Sequence, residues 1–456
     1  MENKLTRKYG PLTAMCMVVG TVIGSGIFFR NEAILAAIGG NMWIGIAAWA
    51  IGGFITLSAA YVFGILSTHH EKVGGLVDYS EVLIGSRYGY LFGWFLASMF
   101  YPAMTGILAW VSARFTVILF GWDVSLGINP GFSGHTFMLA LFYVVAVFAM
   151  NTLGPKLAGK FQVSTTFIKL VPLVLMGVAG TASGLINGTT LANLNTAYIP
   201  EVTGNPFLIA LVATVFAYLG WDAVISINSE VKNSKRNVPI ALVGGLLIII
   251  TVYVLYFIGI FSSAPLENIA GPGGVLYAFV SMFGSAAGTI LFVFIVISCL
   301  GTLNGLTVCN QRALYIVSMR GKGIKPELLS QVDKGTNAPY NSASLALLFC
   351  VAWIVAHGAN FAGWYGDFFF DIPGLIPIAF QLFLIPIYIR TIITQKQLGA
   401  FNRFIAPSVA TLGAAFLLYA AADSQGWHRI SRFLVLFIVI MIIGALLLLR
   451  KDNKQK

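Results

Sequence analysis

Residues 12–33 read LTAMCMVVGTVIGSGIFFRNEA, and this stretch decides the fold class. The run is 22 residues long and carries no charged side chain before Arg30. A helix that rises about 1.5 Å per residue needs roughly 20 apolar residues to cross the roughly 30 Å hydrocarbon core of a bilayer. We therefore predict that this segment spans a membrane.

The rest of the chain repeats this pattern. Of its 456 residues, 58% are hydrophobic and only 9% are charged, and the mean hydropathy is +0.87. A soluble domain of this size could not cover its surface with polar groups. Transmembrane β-strands would alternate polar and apolar residues over about ten positions, whereas these runs are continuous apolar blocks. The sequence predicts an all-α integral membrane protein.

Charged, Gly/Pro-rich and Asn-rich segments divide the apolar runs into about twelve predicted spans. An even number of spans places both termini on one side of the membrane. The short basic N-terminus enters the first run without a small-residue cleavage site, so we interpret this run as a retained span rather than a removable signal. The predicted spans cover residues 12–33, 41–66, 88–119, 136–155, 157–181, 206–228, 238–261, 285–318, 340–357, 365–389, 402–423 and 430–449.

The distribution of Lys and Arg predicts the orientation. With a cytoplasmic N-terminus, 22 of the 27 basic residues lie at the cytoplasmic ends of spans. This bias is the positive-inside pattern, and it explains the net charge of +11 without a nucleic-acid partner. The segments around 181–205 and 262–284 carry no Lys or Arg and are predicted to be external loops. We expect a multi-pass protein of the cytoplasmic membrane with both termini inside.

The segment from His69 to Ser86 is less hydrophobic than its neighbours. Its residues GGLVDYSEVLIG have helical spacing, which is compatible with a short amphipathic helix at the inner interface. A plain loop fits the same residues equally well.

The first span contains the triplet Gly24-Ser25-Gly26 in the middle of its apolar run. Each glycine costs a helix about 1 kcal/mol relative to alanine, so a continuous span has little reason to place two of them here. A seam of small residues between packed helices is one interpretation. The other is a break in the helix, where exposed backbone N–H groups and the positive end of the dipole would bind a carboxylate.

The sixth span contains a similar weakly helical patch. Unwinding from Ala217 to Gly220 would expose carbonyl oxygens that can accept hydrogen bonds from an ammonium group. The flanking aromatics, Phe216, Tyr218 and Trp221, would be ordinary core residues in most apolar spans. Together, the two patches could bind both ends of a free amino acid. Interrupted helices about five spans apart are typical of transporters built from inverted repeats.

Two lysines in the fifth span carry charge into or beside the membrane. Lys156 follows Asn151 to Pro155 at the inner end of the span, where a lysine commonly extends to the interface. The functional interpretation is that its ammonium group takes the place of a bound cation between the first and eighth spans. Lys169 lies deeper in the same span, and the sequence assigns it no role.

Enzyme, cofactor and metal sites find no support in local motifs. The chain has no H-E-x-x-H, P-loop or G-x-S-x-G sequence, and the pair at His69 and His70 has no further ligand nearby. We predict no enzymatic activity, no cofactor and no metal site. The four cysteines lack paired spacing and are interpreted as small core residues, at Cys16, Cys299, Cys309 and Cys350.

Four motifs together resemble the amino acid–polyamine–organocation superfamily. They are VIGSGIF at 22–28, FAYLGWDA at 216–223, SEVKNSKRNVPIAL at 229–242 and NxxGxKxxxxxQ at 151–162. Within the superfamily, the chain is most similar to bacterial L-type amino acid transporters, including serine/threonine and alanine–serine–cysteine exchangers. The resemblance covers nearly the whole chain.

The resemblance implies a fold and an activity. It implies one transporter domain over residues 1–456, with a five-plus-five inverted repeat and interrupted first and sixth helices, as in the LeuT fold. The first repeat would cover residues 12–181, the second 206–389, and two further helices 402–449. The implied activity is sodium-independent exchange of neutral, small L-amino acids by alternating access.

The resemblance also implies a substrate site. Gly24, Ser25 and Gly26 would bind the substrate carboxylate. The carbonyls of Ile23, Phe216 and Ala217, beside the unwound Gly220, would bind the amino group, and the Phe216 ring would act as an external gate.

The resemblance implies roles for further residues, which would replace a coupling ion or line the path of the substrate. Lys156 matches the lysine that replaces a sodium ion, near Gly20 and Ser298. Tyr253 matches a tyrosine of the inner path.

Two departures and two rival functions complete the expectation. Residues 121–135, where animal relatives carry a cysteine bonded to a glycoprotein heavy chain, contain no cysteine, so we expect no such partner. The loop 181–205 is long, so the resemblance does not define the shape of the outer vestibule.

A proton-coupled symporter of amino acids or amines is the rival function among transporters. A channel or sensor on the same scaffold is the rival from another class.

Overall fold

The structure is a computed structural model, and it describes residues 7–69, 74–122, 133–196, 204–271, 273–366 and 371–452. Within these ranges the chain forms helices, together with one isolated backbone bridge between Tyr9 and Val231 and no β-strand. The predicted all-helical class is confirmed.

Up to residue 196, the described chain forms nine α-helices, and a π-helical turn at Leu96–Phe100 joins the fifth to the sixth. They are α1 (Pro11–Val22), α2 (Ser25–Ala37), α3 (Met42–His69), α4 (Leu76–Leu83), α5 (Ser86–Phe95), α6 (Tyr101–Leu119), α7 (Gly134–Leu153), α8 (Pro155–Ile186) and α9 (Thr189–Asn195).

From residue 204 onward, the described chain forms eleven more α-helices, and a π-helical turn at Phe401–Ile405 precedes the last but one. They are α10 (Pro206–Ala217), α11 (Ala223–Ser226), α12 (Ser234–Ser263), α13 (Leu266–Ile269), α14 (Gly274–Phe283), α15 (Ser285–Ser318), α16 (Pro326–Leu329), α17 (Tyr340–Phe361), α18 (Ile372–Thr394), α19 (Ala406–Gln425) and α20 (Trp427–Asp452).

The described residues contain ten helical segments long and apolar enough to cross a membrane, and the bent pair α1 and α2 makes an eleventh. The axes of α1 and α2 differ by 45°. The predicted span 206–228 is divided, because α10 has 12 residues and α11 only four. Neither helix alone covers the roughly 30 Å hydrocarbon core. The interruptions predicted in the first and sixth spans are therefore present.

The first span lies at the centre of the helix bundle. Helix α1 packs against α8, α12 and α15, and α2 packs against α10. The α1 side chains from Cys16 to Val22 are all buried. Because Cys16 to Val22 are buried among these helices, the break that follows them faces the protein interior and not lipid. Irregular backbone at membrane depth is tolerated in such a place.

The outer surface of the bundle is apolar. Large hydrophobic side chains such as Ile186, Leu348 and Leu412 are well exposed on long helices. A soluble monomer rarely exposes so much contiguous apolar surface, whereas a membrane protein turns such a surface toward lipid.

The segment between His69 and Ser86 contains a helix. Residues 70–73, which include His70, lie outside the described part of the chain, and α4 follows at Leu76–Leu83. Most of α4 is buried, including Asp78. Of the two interpretations of this segment, the structure contains the helix, but the helix packs into the bundle and does not lie flat on its surface.

Candidate functional site

The first span breaks at Ile23 and Gly24. Ile23 is extended, with φ −71° and ψ 99°, and Gly24 has φ −132° and ψ −146°, so neither residue continues the helix. Helix α2 starts immediately afterwards at Ser25. The first N–H groups of a helix have no partner within it and carry the positive end of the helix dipole. This break therefore presents donors suited to an anion.

The sixth span breaks between Ala217 and Ala223. Gly220 has a φ of +94°, a left-handed conformation that favours glycine. A Cβ atom on Gly220 would lie 2.6 Å from the side chain of Thr21 in α1. Glycine is thus required both by the turn and by the close approach of the two interrupted spans.

The two breaks enclose a small cavity of about 20 Å³. A larger vestibule of about 450 Å³ lies next to it and shares Ser25, Gly26 and Phe216 with it. The Arg30 guanidinium lies 5.2 Å from the centre of the Phe216 ring, so this ring is held at the boundary between the two spaces. The small cavity is lined by Thr21, Val22, Gly24, Ser25, Gly26, Met104, Leu108, Phe216, Leu219, Thr302 and Leu306.

A buried ammonium group holds the end of α1. The Lys169 nitrogen on α8 donates to the carbonyl oxygens of Gly20 at 2.7 Å and Ile23 at 2.5 Å. It also lies 3.1 Å from the Ser298 carbonyl oxygen and 3.3 Å from the Thr302 hydroxyl on α15. The last carbonyls of a helix carry the negative end of its dipole, so a cation stabilises this end of α1.

The position predicted for Lys156 is wrong. Lys156 is exposed at the start of α8, and Lys169 makes the contacts with Gly20 and Ser298. The two lysines are 13 residues apart in one helix, which is roughly 20 Å along its axis. An ionisable residue inside a membrane span is by default a candidate functional residue. By this criterion, the sequence favours Lys169 over Lys156.

The carbonyl oxygens near the breaks already have donors. The Ile23 oxygen accepts from Lys169 and also from the Thr302 hydroxyl at 2.9 Å, which uses both of its lone pairs. It does not line the cavity. The predicted role of Ile23 as an acceptor for a substrate amino group is therefore not supported in this conformation.

Tyr253 on α12 connects the two interrupted spans. Its buried hydroxyl lies 3.2 Å from the Val22 carbonyl oxygen and 3.0 Å from the Ala217 carbonyl oxygen. The first carbonyl ends α1, and the second ends α10. Any movement of one half-helix against the other must change at least one of these contacts.

Gly26 lies in a tight contact between α2 and α10. A Cβ atom there would lie 2.8 Å from the Cα atom of Ala217, closer than real Cβ atoms approach. Gly26 also lines the cavity. The helix break and the small-residue seam were alternative interpretations of the sequence, and the structure contains both.

One end of the bundle is closed by buried charge. The Glu230 carboxylate lies 2.8 Å from the Lys8 ammonium and 2.7 Å from the Arg312 guanidinium. The partners of Glu230 come from distant segments of the chain. We call this side of the bundle, with Lys8, Glu230 and Arg312, the basic end. The vestibule opens on the opposite side.

A second closure at the basic end involves α4. Arg320 after α15 binds Asp78 and, at 2.7 Å, Glu81. The pKa of Glu81 is lowered, because the hydrogen bond and the charge of Arg320 outweigh the opposing effect of burial. These contacts fix α4 against α15.

Asn151 and Gln162, the first and last residues of the NxxGxKxxxxxQ motif, are linked by hydrogen bonds through Asn304 of α15. The Asn151 amide donates to the Asn304 side-chain oxygen at 2.8 Å, and the Asn304 amide donates to Gln162 at 2.7 Å. Because Asn304 stands two residues after Thr302, this network helps to position α15 beside the break in α1.

The two broken spans, the buried Lys169 ammonium group and the sequence motifs occur in a chain that matches one protein family over nearly its whole length. A profile for amino acid permeases matches residues 9–456. The chain belongs to the amino acid permease family. Its interrupted spans are the part of this permease that encloses the cavity.

Relatives of the permease are transporters, which confirms the prediction that the chain is not an enzyme. It is 30% identical to the serine/threonine exchanger SteT of Bacillus subtilis over 348 residues, covering 76% of each chain. It is 24% identical to the human b(0,+)-type amino acid transporter 1 over 460 residues, covering 98% of the permease and 88% of the relative. It is 24% identical to the human cystine/glutamate transporter over 339 residues, covering 74% and 65%.

The predicted site residues of the permease fall into three places. Gly24, Ser25, Gly26 and Phe216 line the cavity. Gly20, Ile23 and Ser298 contact Lys169. Ala217, Gly220 and Tyr253 hold the breaks in place from outside the cavity lining.

Proposed function

We propose that this permease exchanges one neutral, small L-amino acid for another by alternating access, without sodium. The observation that carries the proposal is the start of α2, where Gly24, Ser25 and Gly26 line a cavity that Phe216 separates from the vestibule. A free amino acid offers a carboxylate to such a helix start whatever its side chain. The cavity volume of about 20 Å³ is close to the space of one water molecule, so the cavity must widen from the vestibule to admit a substrate.

The amino group would bind at the end of α10. The Ala217 carbonyl oxygen accepts from Tyr253, and a carbonyl oxygen has a second lone pair. Phe216 brings its own carbonyl to the same turn. Substrate binding would thus join the start of α2 to the end of α10, and closure of the Phe216 ring over the site would follow.

Sodium independence rests on Lys169. Its ammonium group bonds to carbonyl and hydroxyl oxygens of α1 and α15, which are the kind of oxygen ligands that a hard cation takes. An ammonium group that is covalently attached at this position would remove the need for a sodium ion from solution.

The proposal includes an orientation and an internal repeat. The basic end would face the cytoplasm, as the positive-inside pattern predicts. Residues 12–181 and 206–389 would form the two repeats, which is supported by a broken span at the start of each. Cysteines substituted for Asn195 and Lys322 should then react with impermeant reagents from opposite sides of the membrane.

The proposal does not require a disulfide-linked heavy chain. The segment 121–135 has no cysteine in its sequence. Most of this segment, residues 123–132, lies outside the described part of the chain.

Exchange of a panel of amino acids between the two sides of proteoliposomes tests the proposal. Vesicles loaded with unlabelled L-serine, L-alanine or L-threonine should take up labelled L-serine faster than empty vesicles, and uptake should saturate. L-Glutamate and L-lysine inside the vesicles should not stimulate it.

Two results would replace the proposal. Accumulation in empty vesicles driven by a pH gradient would indicate the proton-coupled symporter, and non-saturating flux without stimulation would indicate a channel. Failure of every amino acid in the panel to stimulate uptake would contradict the exchange of neutral amino acids.

A further inference from the structure

Asp222 is a buried carboxylate that the proposed exchange does not use. It lies in the turn between α10 and α11, and the residue is 1% exposed. Its carboxylate accepts a hydrogen bond from the hydroxyl of Tyr101, the first residue of α6. The Ser226 hydroxyl lies 3.5 Å from the same Tyr101 oxygen. All three residues are buried.

The hydrogen-bond partner of the Asp222 side chain is neutral. In the described ranges, no Lys, Arg or His side chain forms a salt bridge with Asp222. The nearest cation along α15, Arg312, is bound by Glu230. The titratable or charged side chains on the elements packed around this turn are Cys16 on α1, Asp78, Tyr79 and Glu81 on α4, Tyr101 and Arg114 on α6, Lys235, Arg236, Tyr253 and Tyr256 on α12, and Cys299, Cys309, Arg312 and Tyr315 on α15.

These neighbours do not supply a positive charge to Asp222. Lys235 and Arg236 are exposed at the start of α12. Asp78 on α4 is bound by Arg320. An ionised carboxylate buried without a cation costs several kcal/mol in solvation, so the closed structure favours the protonated acid.

The Asp222–Tyr101 pair lies next to residues that line two cavities, although Asp222 itself lines neither. The cavity between the broken spans is lined by Leu219, three residues before Asp222, and by Met104, three residues after Tyr101. On the other side, toward the basic end, a second cavity of about 10 Å³ is lined by Tyr101 and Ser226. Such a volume is close to what one water molecule needs.

The second cavity leads to the closure at the basic end. Gly74 before α4 lines it, and the N–H of Gly74 donates to Asp78 at 2.5 Å. Asp78 in turn binds Arg320. If the path to the basic end opens through this cavity, between α4, α6 and α11, the opening would separate Asp222 from Tyr101 and hydrate the carboxylate.

We infer that Asp222 is a proton-binding site that holds a proton while the basic end is closed and releases it to that side as the path opens. The inference rests on the proposed alternating access. A proton from water at the basic end binds one carboxylate oxygen, and opening returns it to the same side, so the proton is not consumed. Acid on that side stabilises the closed form and slows exchange.

Exchange at controlled pH on each side tests the inference. Amino acid exchange is measured in proteoliposomes of determined orientation, with the pH varied from about 5.5 to about 8 in one compartment at a time. For the wild type, the rate should rise at least about threefold with pH on the side of the basic end, within the tenfold per unit that a single proton allows. The pH of the other compartment should have little effect.

Two variants isolate the carboxyl group. Asp222→Asn keeps an oxygen that accepts from Tyr101 but cannot titrate, so exchange should persist at a low rate that does not depend on pH. Tyr101→Phe retains the carboxyl group and should keep a pH-dependent rate. Asp423→Asn alters an exposed carboxylate and serves as the control, with the wild-type profile expected.

Each result decides the inference. Exchange that is independent of pH in the wild type, or a pH dependence that survives in Asp222→Asn, would overturn it and leave the proposed exchange intact. If no amino acid is exchanged at any pH, the proposed function fails. Infrared spectroscopy of the substrate-free protein then still tests whether Asp222 binds a proton. A carbonyl band of a protonated carboxyl group that Asp222→Asn removes supports the proton site, and an unchanged spectrum contradicts it.

Discussion

The Lys169 ammonium nitrogen lies 2.7 Å from the carbonyl oxygen of Gly20, three residues before the first span breaks at Ile23. The contact places a positive charge at the negative end of α1. Helix α2 begins two residues later with the positive end of its own dipole. The broken span thus holds a cation from the protein on one side of the break and presents donors for an anion on the other.

Replacing Lys169 by methionine should disable the permease. The Lys169→Met side chain fills a similar volume but removes the ammonium donor from the carbonyl oxygens of Gly20 and Ile23, which then keep only hydroxyl donors. A hydrogen bond to a charged group contributes about 1.5–3 kcal/mol. We expect a lower thermal unfolding temperature and at least about tenfold slower exchange, since 1.4 kcal/mol corresponds to a factor of ten.

Lys156→Met is the matched control, because this lysine is exposed on the same helix. Its unfolding temperature and exchange rate should remain close to those of the wild type. Loss of exchange in Lys156→Met with normal exchange in Lys169→Met would restore the position predicted from the sequence motif.

Gly26→Ala should loosen the contact between α2 and α10. The added Cβ atom would lie 2.8 Å from the Cα atom of Ala217, and overpacking of this kind costs about 1–3 kcal/mol. Because Gly26 also lines the cavity, the thermal shift caused by L-serine should shrink or vanish. A ligand that binds only the folded state normally raises its stability.

Gly134→Ala is the control, since a Cβ atom there meets no other atom within 4 Å. It should unfold like the wild type and keep the full shift with L-serine. A normal substrate-induced shift in Gly26→Ala would place the carboxylate site elsewhere.

Tyr253→Phe should slow transport more than it weakens binding. The variant removes the hydroxyl that joins Val22 to Ala217 but preserves the ring. The loss of a typical hydrogen bond costs about 0.5–1.5 kcal/mol. We expect a reduced maximal exchange rate with little change in the half-saturating concentration, measured in proteoliposomes.

Tyr256→Phe provides the comparison three residues along the same helix. The Tyr256 hydroxyl is buried and has no hydrogen-bond partner among the described residues. Its removal should leave exchange unchanged and should not lower stability. Equal effects of the two variants would mean that the bridge between the breaks has no role in transport.

Glu230→Gln should open the basic end. The substitution leaves the Arg312 guanidinium buried without a counterion, and breaking a buried ion pair in this way costs about 3–5 kcal/mol. Cys309, one turn from Arg312 and 1% exposed, should then react faster with a small thiol reagent. Glu327→Gln, at an exposed carboxylate of the same end, should leave the rate of Cys309 labelling unchanged. A rate in Glu230→Gln as low as that of the wild type would show that this network does not close the path.

Composition and local sequence were sufficient for the helical class, most of the apolar spans and the two interruptions. Apolar length predicted the spans, and Gly24, Gly26 and Gly220 marked the breaks, because glycine in an apolar helix is costly unless the backbone needs it. Sequence could not show that Gly26 also touches Ala217, since that contact depends on how two distant helices pack.

The charged residues were harder to place. The motif spacing favoured Lys156, whereas the depth of Lys169 in its span determined which ammonium group is buried. The partners of Glu230, Lys8 and Arg312, are distant from it in the chain, so sequence alone does not pair them. Asp222 drew no attention in sequence, because only the fold brings it to Tyr101, next to residues that line two cavities.

The initial rate of amino acid exchange with and without sodium tests the central claim most directly. Proteoliposomes loaded with L-serine are assayed in sodium chloride and in choline chloride at equal ionic strength. With Lys169 in place of a bound cation, the two rates should be equal. Collapse of the exchange rate in choline would contradict the account, because the permease would then need a dissolved cation that Lys169 is proposed to replace.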